Sequence, residues 1–302
     1  MSIVRGFFSG VLGFLLIITL LLLGIVITIN ATILNPPFVL NQMDKLDVYS
    51  LATDRIKAEV KNQLALEEPY MTYLTQVVDK TAADLQPWLR DQTSEVVGEV
   101  YAYLKDGREL DVSISLEPVR ASIKQNLGET VQESPLPEGI PQSIVDAYLI
   151  QVYAEIDQQV PASFELNKSS LEPEAIVQME QAREVIGYVG PGFKILTGLA
   201  ILLALAIALL HWWRPKPITL SIGIALAISG LLSYLGTITA SNLARQATLP
   251  PMIAELQASL PQLASDITQP LQTYGIWLLA GGAVLIVVSV VLAVAVKPSG
   301  GD

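Results

Sequence analysis

The reading turns on FFSGVLGFLLIITLLLLGIVITINATIL, residues 7–34, a run in which no position carries a charge. The hydrocarbon core of a bilayer is about 30 Å thick and takes roughly 20 helical residues to cross, so this run spans it with residues to spare. Three further uncharged runs follow at about Ile195–Trp213, Ile218–Ala240 and Tyr274–Val296, with His211, near one end, as the exception that protonation would charge. Just over half the chain is apolar, and the apolar residues collect in these blocks instead of spreading as in a soluble domain. That distribution belongs to a membrane protein. The expected fold is therefore a polytopic α-helical membrane protein, with four transmembrane helices and a mainly helical extracytoplasmic domain with minor β structure.

The first run begins after Arg5, as a secretory signal does. Its apolar length exceeds the roughly 7–15 residues of a signal core, and no A-x-A-like cleavage site follows. It reads as an uncleaved anchor. Orientation follows from Lys and Arg in short loops, which favour the cytoplasmic side. Arg5 precedes the first run, Arg214 and Lys216 lie in the WWRPKP turn, and Lys297 follows the last run. All three places share one side if four helices alternate, which puts both termini in the cytoplasm and makes this a multi-pass protein of the cell membrane. Trp212, Trp213, Tyr274 and Trp277 stand at block ends, where amphipathic rings favour the headgroup level.

The layout expected is a cytoplasmic start and first membrane helix over 1–34, an extracytoplasmic domain over 35–190, and membrane helices over 191–213 and 218–240 joined by a cytoplasmic turn at 214–217. A second extracytoplasmic loop covers 241–273, and the fourth helix with its cytoplasmic tail covers 274–302. Asn35 to Gly187 holds 12 Lys and Arg against 26 Asp and Glu, so the net −14 lies in this segment and the rest of the chain sums to +3. Such a surface argues against nucleic acid or anionic headgroups as partners. The absence of cysteine excludes disulfides, thiolate catalysis and cysteine-bound zinc.

Within the large segment, Pro36 and Pro37 of NPPF break the first helix, and helical spacing is expected over Val48–Leu66, Tyr70–Leu85 and Trp88–Leu104, the last two separated by Pro87. After the Asp106-Gly107 turn, Leu110, Val112, Ile114 and Leu116 alternate with polar residues, giving a strand over 110–116, with a second short strand at 163–167. Further helices are expected over Pro118–Leu127, Gln142–Gln159 and Glu174–Ile186, with a Pro- and Gly-rich loop, ESPLPEGIP, before the second of them. The tetrapeptide SLEP occurs at Ser115–Pro118 and Ser170–Pro173. Serine at N-cap distance, Glu in the first turn and Pro where no amide is missed mark two helix starts, and Ser169 with Glu172 has capping-box spacing. The second loop carries Pro250, Pro251, Pro261 and Pro270 around a stripe of Met252, Ile253, Leu256, Leu260 and Leu263, expected to pack on the larger domain or on the headgroups.

Catalytic signatures are missing from the sequence. With His211 as the sole histidine, an HExxH metal site and an outer Ser-His-Asp triad are excluded by count, and no G-x-S-x-G, P-loop or dinucleotide fingerprint occurs. Asp106, Glu109 and Asp111 in KDGRELD crowd a turn without the spacing of a calcium loop, and Glu67-Glu68 reads as a helix end. The expectation is no catalytic residue, no metal ligand, no cofactor and no enzymatic activity. Transport is weakened because the apolar blocks hold none of the ionisable groups that line ion pathways, although Thr19, Thr28, Ser229, Ser233 and Thr237 offer hydroxyls to a homo-oligomeric pore. Gly6 and Gly10 in the first helix, and Gly223, Ala227 and Gly230 in the third, offer small surfaces for close helix approach.

The stretch ILNPPFVLNQMDKLDVYSLATD, directly after the first block, resembles the corresponding region of uncharacterised prokaryotic four-helix integral membrane proteins with a large extracytoplasmic first loop. The resemblance is one of layout and implies no activity. Claudins and tetraspanins also have four membrane helices and one large loop, but theirs carries cysteines. Chemoreceptors flank a helical outer bundle with membrane helices and need a long cytoplasmic coil that this chain does not have. The leading expectation is a non-enzymatic protein whose outer domain binds a membrane or envelope protein partner, or serves as an accessory subunit, with the bilayer as its solvent. A small-molecule or lipid sensor or carrier with a ligand between the outer helices is the alternative, followed by a homo-oligomeric pore.

Overall fold

The computed structural model of the chain describes residues 2–63, 70–133, 141–212, 214–249 and 251–295. In chain order its elements are α1 (Ser2–Ala31), α2 (Pro36–Lys45), α3 (Val48–Gln63), α4 (Tyr70–Tyr101), a π-helical turn (Ala102–Asp106), β1 (Asp111–Ser115), α5 (Glu117–Glu133), α6 (Gln142–Gln159), β2 (Ser163–Asn167), α7 (Pro173–Gly187), α8 (Val189–Leu210), α9 (Pro215–Gln246), a 3-10 segment (Pro251–Ser259) and α10 (Leu260–Ala295). They divide into two compact units, Met1–Val39 with Glu184–Asp302, and Leu40–Arg183.

The first unit contains helices long and apolar enough to cross a membrane at Gly6–Ala31, Pro173–Leu210, Pro215–Gln246 and Ala254–Val294, the second of these beginning in the other unit. Large apolar side chains on them face outward, among them Phe7, Ile201 and Val291. Such a continuous apolar exterior is costly in water and at home in hydrocarbon. The chain is a multi-pass helical membrane protein. Its tightest joint is between α9 and α10, where a Cβ added at Gly230 would lie 2.6 Å from the Gly275 carbonyl oxygen and 2.6 Å from the Leu279 amide nitrogen. Gly223 and Gly282 meet in the same way farther along, with 3.0 Å from a Gly223 Cβ to the Gly282 oxygen. In lipid there is no hydrophobic drive between helices, and small residues let backbones approach until dispersion holds them. Leu16 and Leu20 of α1 pack with Leu203 and Ile207 of α8 and Ala225 of α9 in the core of this unit. Tyr274 of α10 lays its ring against Gly24 and donates its hydroxyl to the Leu20 carbonyl at 3.0 Å. This ring, expected at the headgroup level, is thus part of the helix packing.

The second unit is helical with one two-stranded sheet. β1 and β2 pair antiparallel, with Asp111 opposite Asn167 and Ser115 opposite Ser163. Period two turns Val112 and Ile114 inward and Asp111, Ser113 and Ser115 outward. Val112 joins Tyr103 and Leu110 in a core completed by Val96, Val100, Leu166 and Met179. Gly107, at φ 72°, turns the chain from the π-helical turn toward β1 in the left-handed region that glycine enters without penalty. Lys168 and Arg183 stand over the buried Tyr103 ring at 5.2 and 5.3 Å, a cation on an aromatic face.

Four sequence expectations are corrected. Pro87 does not separate two helices, because α4 runs through it from Tyr70 to Tyr101. One backbone bond is lost, to the carbonyl of Ala83, and both residues are exposed, so water satisfies that oxygen. Residues 241–273 are mostly helical: α9 continues to Gln246, the 3-10 segment starts at Pro251, and α10 begins at Leu260 with Pro261 in its first turn and Pro270 inside. Leu256, Leu260 and Leu263 are half-buried there. The SLEP copies do hold the first residues of α5 and α7, yet their serines do not act as the expected caps: Ser115 is the last strand residue, and Ser170 Oγ donates to the Asn167 carbonyl at 2.8 Å. Asn167 Oδ1 in turn accepts from the Ser169 hydroxyl at 2.6 Å, which uses the group expected in the capping box. Pro36 begins α2, and α1 has already ended at Ala31. Leu64, Glu67, Glu68, Trp213, Pro250, Lys297 and residues 134–140 of the Pro- and Gly-rich loop lie outside the described residues, as do the side chains of Met252 and Ile253.

Because the atoms that meet at Gly230 are backbone, no rotamer change relieves a clash. Gly230→Ala is expected to lower stability by about 1–3 kcal/mol, whereas Gly236→Ala, with nothing within 4 Å, leaves it unchanged or raised. Thermal unfolding of the purified protein in mild detergent checks both.

Candidate ligand-binding cavity

Three helices of the second unit enclose an apolar cavity. α3 and α4 run antiparallel, joined by Lys57 to Asp79 at 3.7 Å, and Arg90 of α4 reaches Asp44 of α2 at 2.5 Å. α5 lies along α4, also antiparallel, with Asn126 Nδ2 donating to Asp84 at 2.8 Å and Lys80 paired with Glu133 at 2.9 Å. Each helix turns an apolar face to the same space. α4 contributes Leu74, Val78, Ala82, Leu85 and Leu89, recurring at helical spacing. α3 adds Ile56 and Val60, and α5 adds Val119 and Ile123.

The cavity between them has a volume of about 480 Å³, inside the range of small-molecule sites, about 300–1,000 Å³. Short side chains at Val60, Val78, Ala82 and Val119 leave this volume, and the Lys57–Asp79 and Asn126–Asp84 contacts join the helices around it. At about 24 cal/mol per Å³, a sealed void of this size would cost on the order of 10 kcal/mol, as much as a whole domain's stability. It is instead open at a rim where Ile56 is 58 % exposed.

Its polar members are few. Thr53 Oγ1 donates to the Tyr49 carbonyl at 2.6 Å. Lys57 Nζ is held between Asp54 at 3.4 Å and Asp79 at 3.7 Å. Thr81 is only 8 % exposed, and its hydroxyl has no hydrogen-bond partner among the described residues. Nearby, burial pushes the Tyr49 phenol up, assisted by Asp44 and opposed by Arg90.

The residues singled out in the sequence lie elsewhere. Asp106, Glu109 and Asp111 are exposed, and among the described residues no three His, Asp or Glu side chains gather as a metal site would require. His211 Nδ1 is 2.8 Å from the Ile207 carbonyl oxygen at the end of α8. Thr19, Thr28, Ser229, Ser233 and Thr237 are all buried, and those of Thr19, Thr28, Ser229 and Thr237 donate to carbonyls three or four residues back, at 2.7–2.8 Å for the shortest bond of each. They face the interior of the protomer, so a lumen between copies would need other residues. Sequence reasoning placed the α3 stripe at helical spacing but missed the cavity. The available signal was that the apolar phase of α4 passes unchanged through Pro87, from Val78 and Thr81 to Leu85 and Trp88.

No family model, curated protein or solved structure matches this chain.

Filling the cavity from within recovers packing that the wild-type side chains forgo. Ala82→Leu is expected to raise the stability of ligand-free protein by about 0.5–2 kcal/mol, read as an increase in the thermal midpoint.

Proposed function

We propose that the acidic helical unit is an extracytoplasmic domain that binds a lipid-like apolar ligand between α3, α4 and α5, as a carrier or sensor fixed in the cell membrane by the helices of the other unit. The observation that carries this reading is the cavity of about 480 Å³ with its apolar lining. Water inside such a space finds few partners, whereas a hydrocarbon chain gains both its own desolvation and dispersion with the lining. Binding and release need no covalent chemistry, in keeping with the absence of catalytic signatures from the sequence. The orientation is supported by Arg214 and Lys216 in the short turn between α8 and α9, a position that favours the cytoplasm. It puts the termini on the cytoplasmic side and the acidic unit outside.

A second reading, an accessory subunit docking a membrane or envelope protein, is favoured by a separate feature. Ile144 and Tyr148 on one face of α6 are 58 % and 65 % exposed, with Ile150 at 69 % close by. Apolar side chains grouped in this way are typical of surfaces covered in a complex.

Trp88 lines the cavity and reports on its contents. In full-length protein carrying Trp212→Phe, Trp213→Phe and Trp277→Phe, reconstituted in nanodiscs, a brominated methyl stearate is expected to quench Trp88 saturably, and Ala82→Leu to weaken that quenching several-fold. Non-saturating quenching that Ala82→Leu leaves unchanged would defeat the ligand-binding reading. Orientation is read separately in the cysteine-free background: a thiol at Arg108→Cys is expected to react with a membrane-impermeant maleimide in intact cells, and one at Lys216→Cys only after permeabilisation.

A further inference from the structure

The geometry points to the polar chemistry of the ligand: an elongated lipid whose neutral oxygen, a hydroxyl or carbonyl near the middle of the chain, bonds to Thr81. This inference rests on the ligand-binding reading above and narrows the class of lipid. Leu74 and Leu89 mark the extent of the cavity along α4, a span of about 22 Å at 1.5 Å per residue. Thr81 lies near its midpoint, about 10 Å from one limit and 12 Å from the other. It is more than nine-tenths buried, and its hydroxyl has no partner among the described residues. A helical threonine ordinarily returns its hydroxyl to a carbonyl of the preceding turn, as Thr53 does to Tyr49 and Thr93 to Leu89 in this same unit. Leaving such a group unpaired in an apolar space costs more than replacing it by a methyl of the same shape. Its presence is accounted for by a bond made when the cavity is filled.

The antiparallel pairing of α3 with α4 brings a second hydroxyl to the same level. Lys57 of α3 meets Asp79 of α4, so Thr53, one turn earlier on α3, falls opposite the turn of α4 that holds Thr81, and both line the cavity. The Thr53 hydrogen is committed to Tyr49, and its oxygen can still accept. A ligand hydroxyl can therefore donate to Thr53 and accept from Thr81, and a carbonyl can accept from Thr81 alone.

Charge excludes the other common lipid oxygen, a terminal carboxylate. Among the described residues the one cation lining the cavity is Lys57, already held by Asp54 and Asp79, so the balance of these described groups is one positive charge against two negative. An anion placed there meets net repulsion. A carboxyl-terminated chain bound head-first at Thr81 would also fill only half of the length.

The test compares methyl stearate with its mid-chain hydroxy derivative, two neutral probes of equal length, as competitors against the brominated ester in the Trp88 assay with full-length protein in nanodiscs. Wild-type Thr81 is expected to give the hydroxy probe about a fivefold advantage. Thr81→Val should abolish that advantage while leaving methyl stearate within about twofold, and Thr81→Ser should retain it. Comparing variants cancels the partitioning of the probes into the bilayer. An equal preference in wild type and Thr81→Val would overturn the assignment of Thr81 while leaving ligand binding intact. No saturable quenching by the brominated ester in any variant would overturn the binding reading, and this inference with it. The stability of ligand-free Thr81→Val gives an independent check: an increase in thermal midpoint fits a hydroxyl left unpaired until ligand arrives, and a decrease refutes it.

Discussion

A backbone amide in hydrocarbon has no water to bond, and this constraint governs half of the molecule. Every N–H and C=O along the membrane segments must find its partner within the chain, which leaves the helix as the local solution for an uncharged run such as residues 7–34. Four of the buried hydroxyls obey the same rule, and that of Ser233 has no partner among the described residues. Thr19, Thr28, Ser229 and Thr237 return theirs to the preceding turn of their own helices. The hydrophobic effect, having driven these helices into lipid, offers nothing to assemble them there. Assembly depends on how closely backbones approach, and the α9–α10 joint, with glycine against glycine at two levels, is where they approach most. Three glycines of α1 differ: Gly6, Gly10 and Gly13 have nothing within 4 Å of an added Cβ, while Gly24 meets the Tyr274 ring.

The other unit is organised by different forces. Its core is filled where the two-stranded sheet, the end of α4 and α7 converge on Tyr103, and the cations over the ring complete it. Farther along α4 the same helix faces α3 and α5 across an apolar space. A domain whose fold is secured at one end can keep one such space elsewhere. This separation of a filled end from a hollow middle is the feature on which the lipid-binding proposal stands.

Proline illustrates how local rules yield to context. At Pro87 the loss is one backbone bond on a face open to water, and the apolar stripe on the opposite face gains from remaining a single helix. At Pro261 the residue falls in a first turn, where an amide has no partner to lose. The expectation of a break at Pro87 followed from treating proline as punctuation without asking which face it occupied. The two serines of SLEP make the same point: their hydroxyls were available for a helix cap, but the second was drawn to Asn167 and the first sits in a strand.

Hydropathy and charge alone determined that the chain is a multi-pass helical membrane protein with four spans and an acidic helical insertion after the first, because hydrocarbon thickness and the cost of charge act on contiguous residues. Period-two alternation likewise located both strands, since their pattern is local. Their pairing with each other, 52 positions apart from Asp111 to Ser163, needed the tertiary structure, as did the cavity. A cavity is a property of three faces at once: Val60, Ala82 and Val119 each look like ordinary core residues in sequence, and only their failure to reach one another makes a binding space. Thr81 is the sharpest case, because a threonine on a helix is unremarkable until its burial and its unpaired hydroxyl are both known.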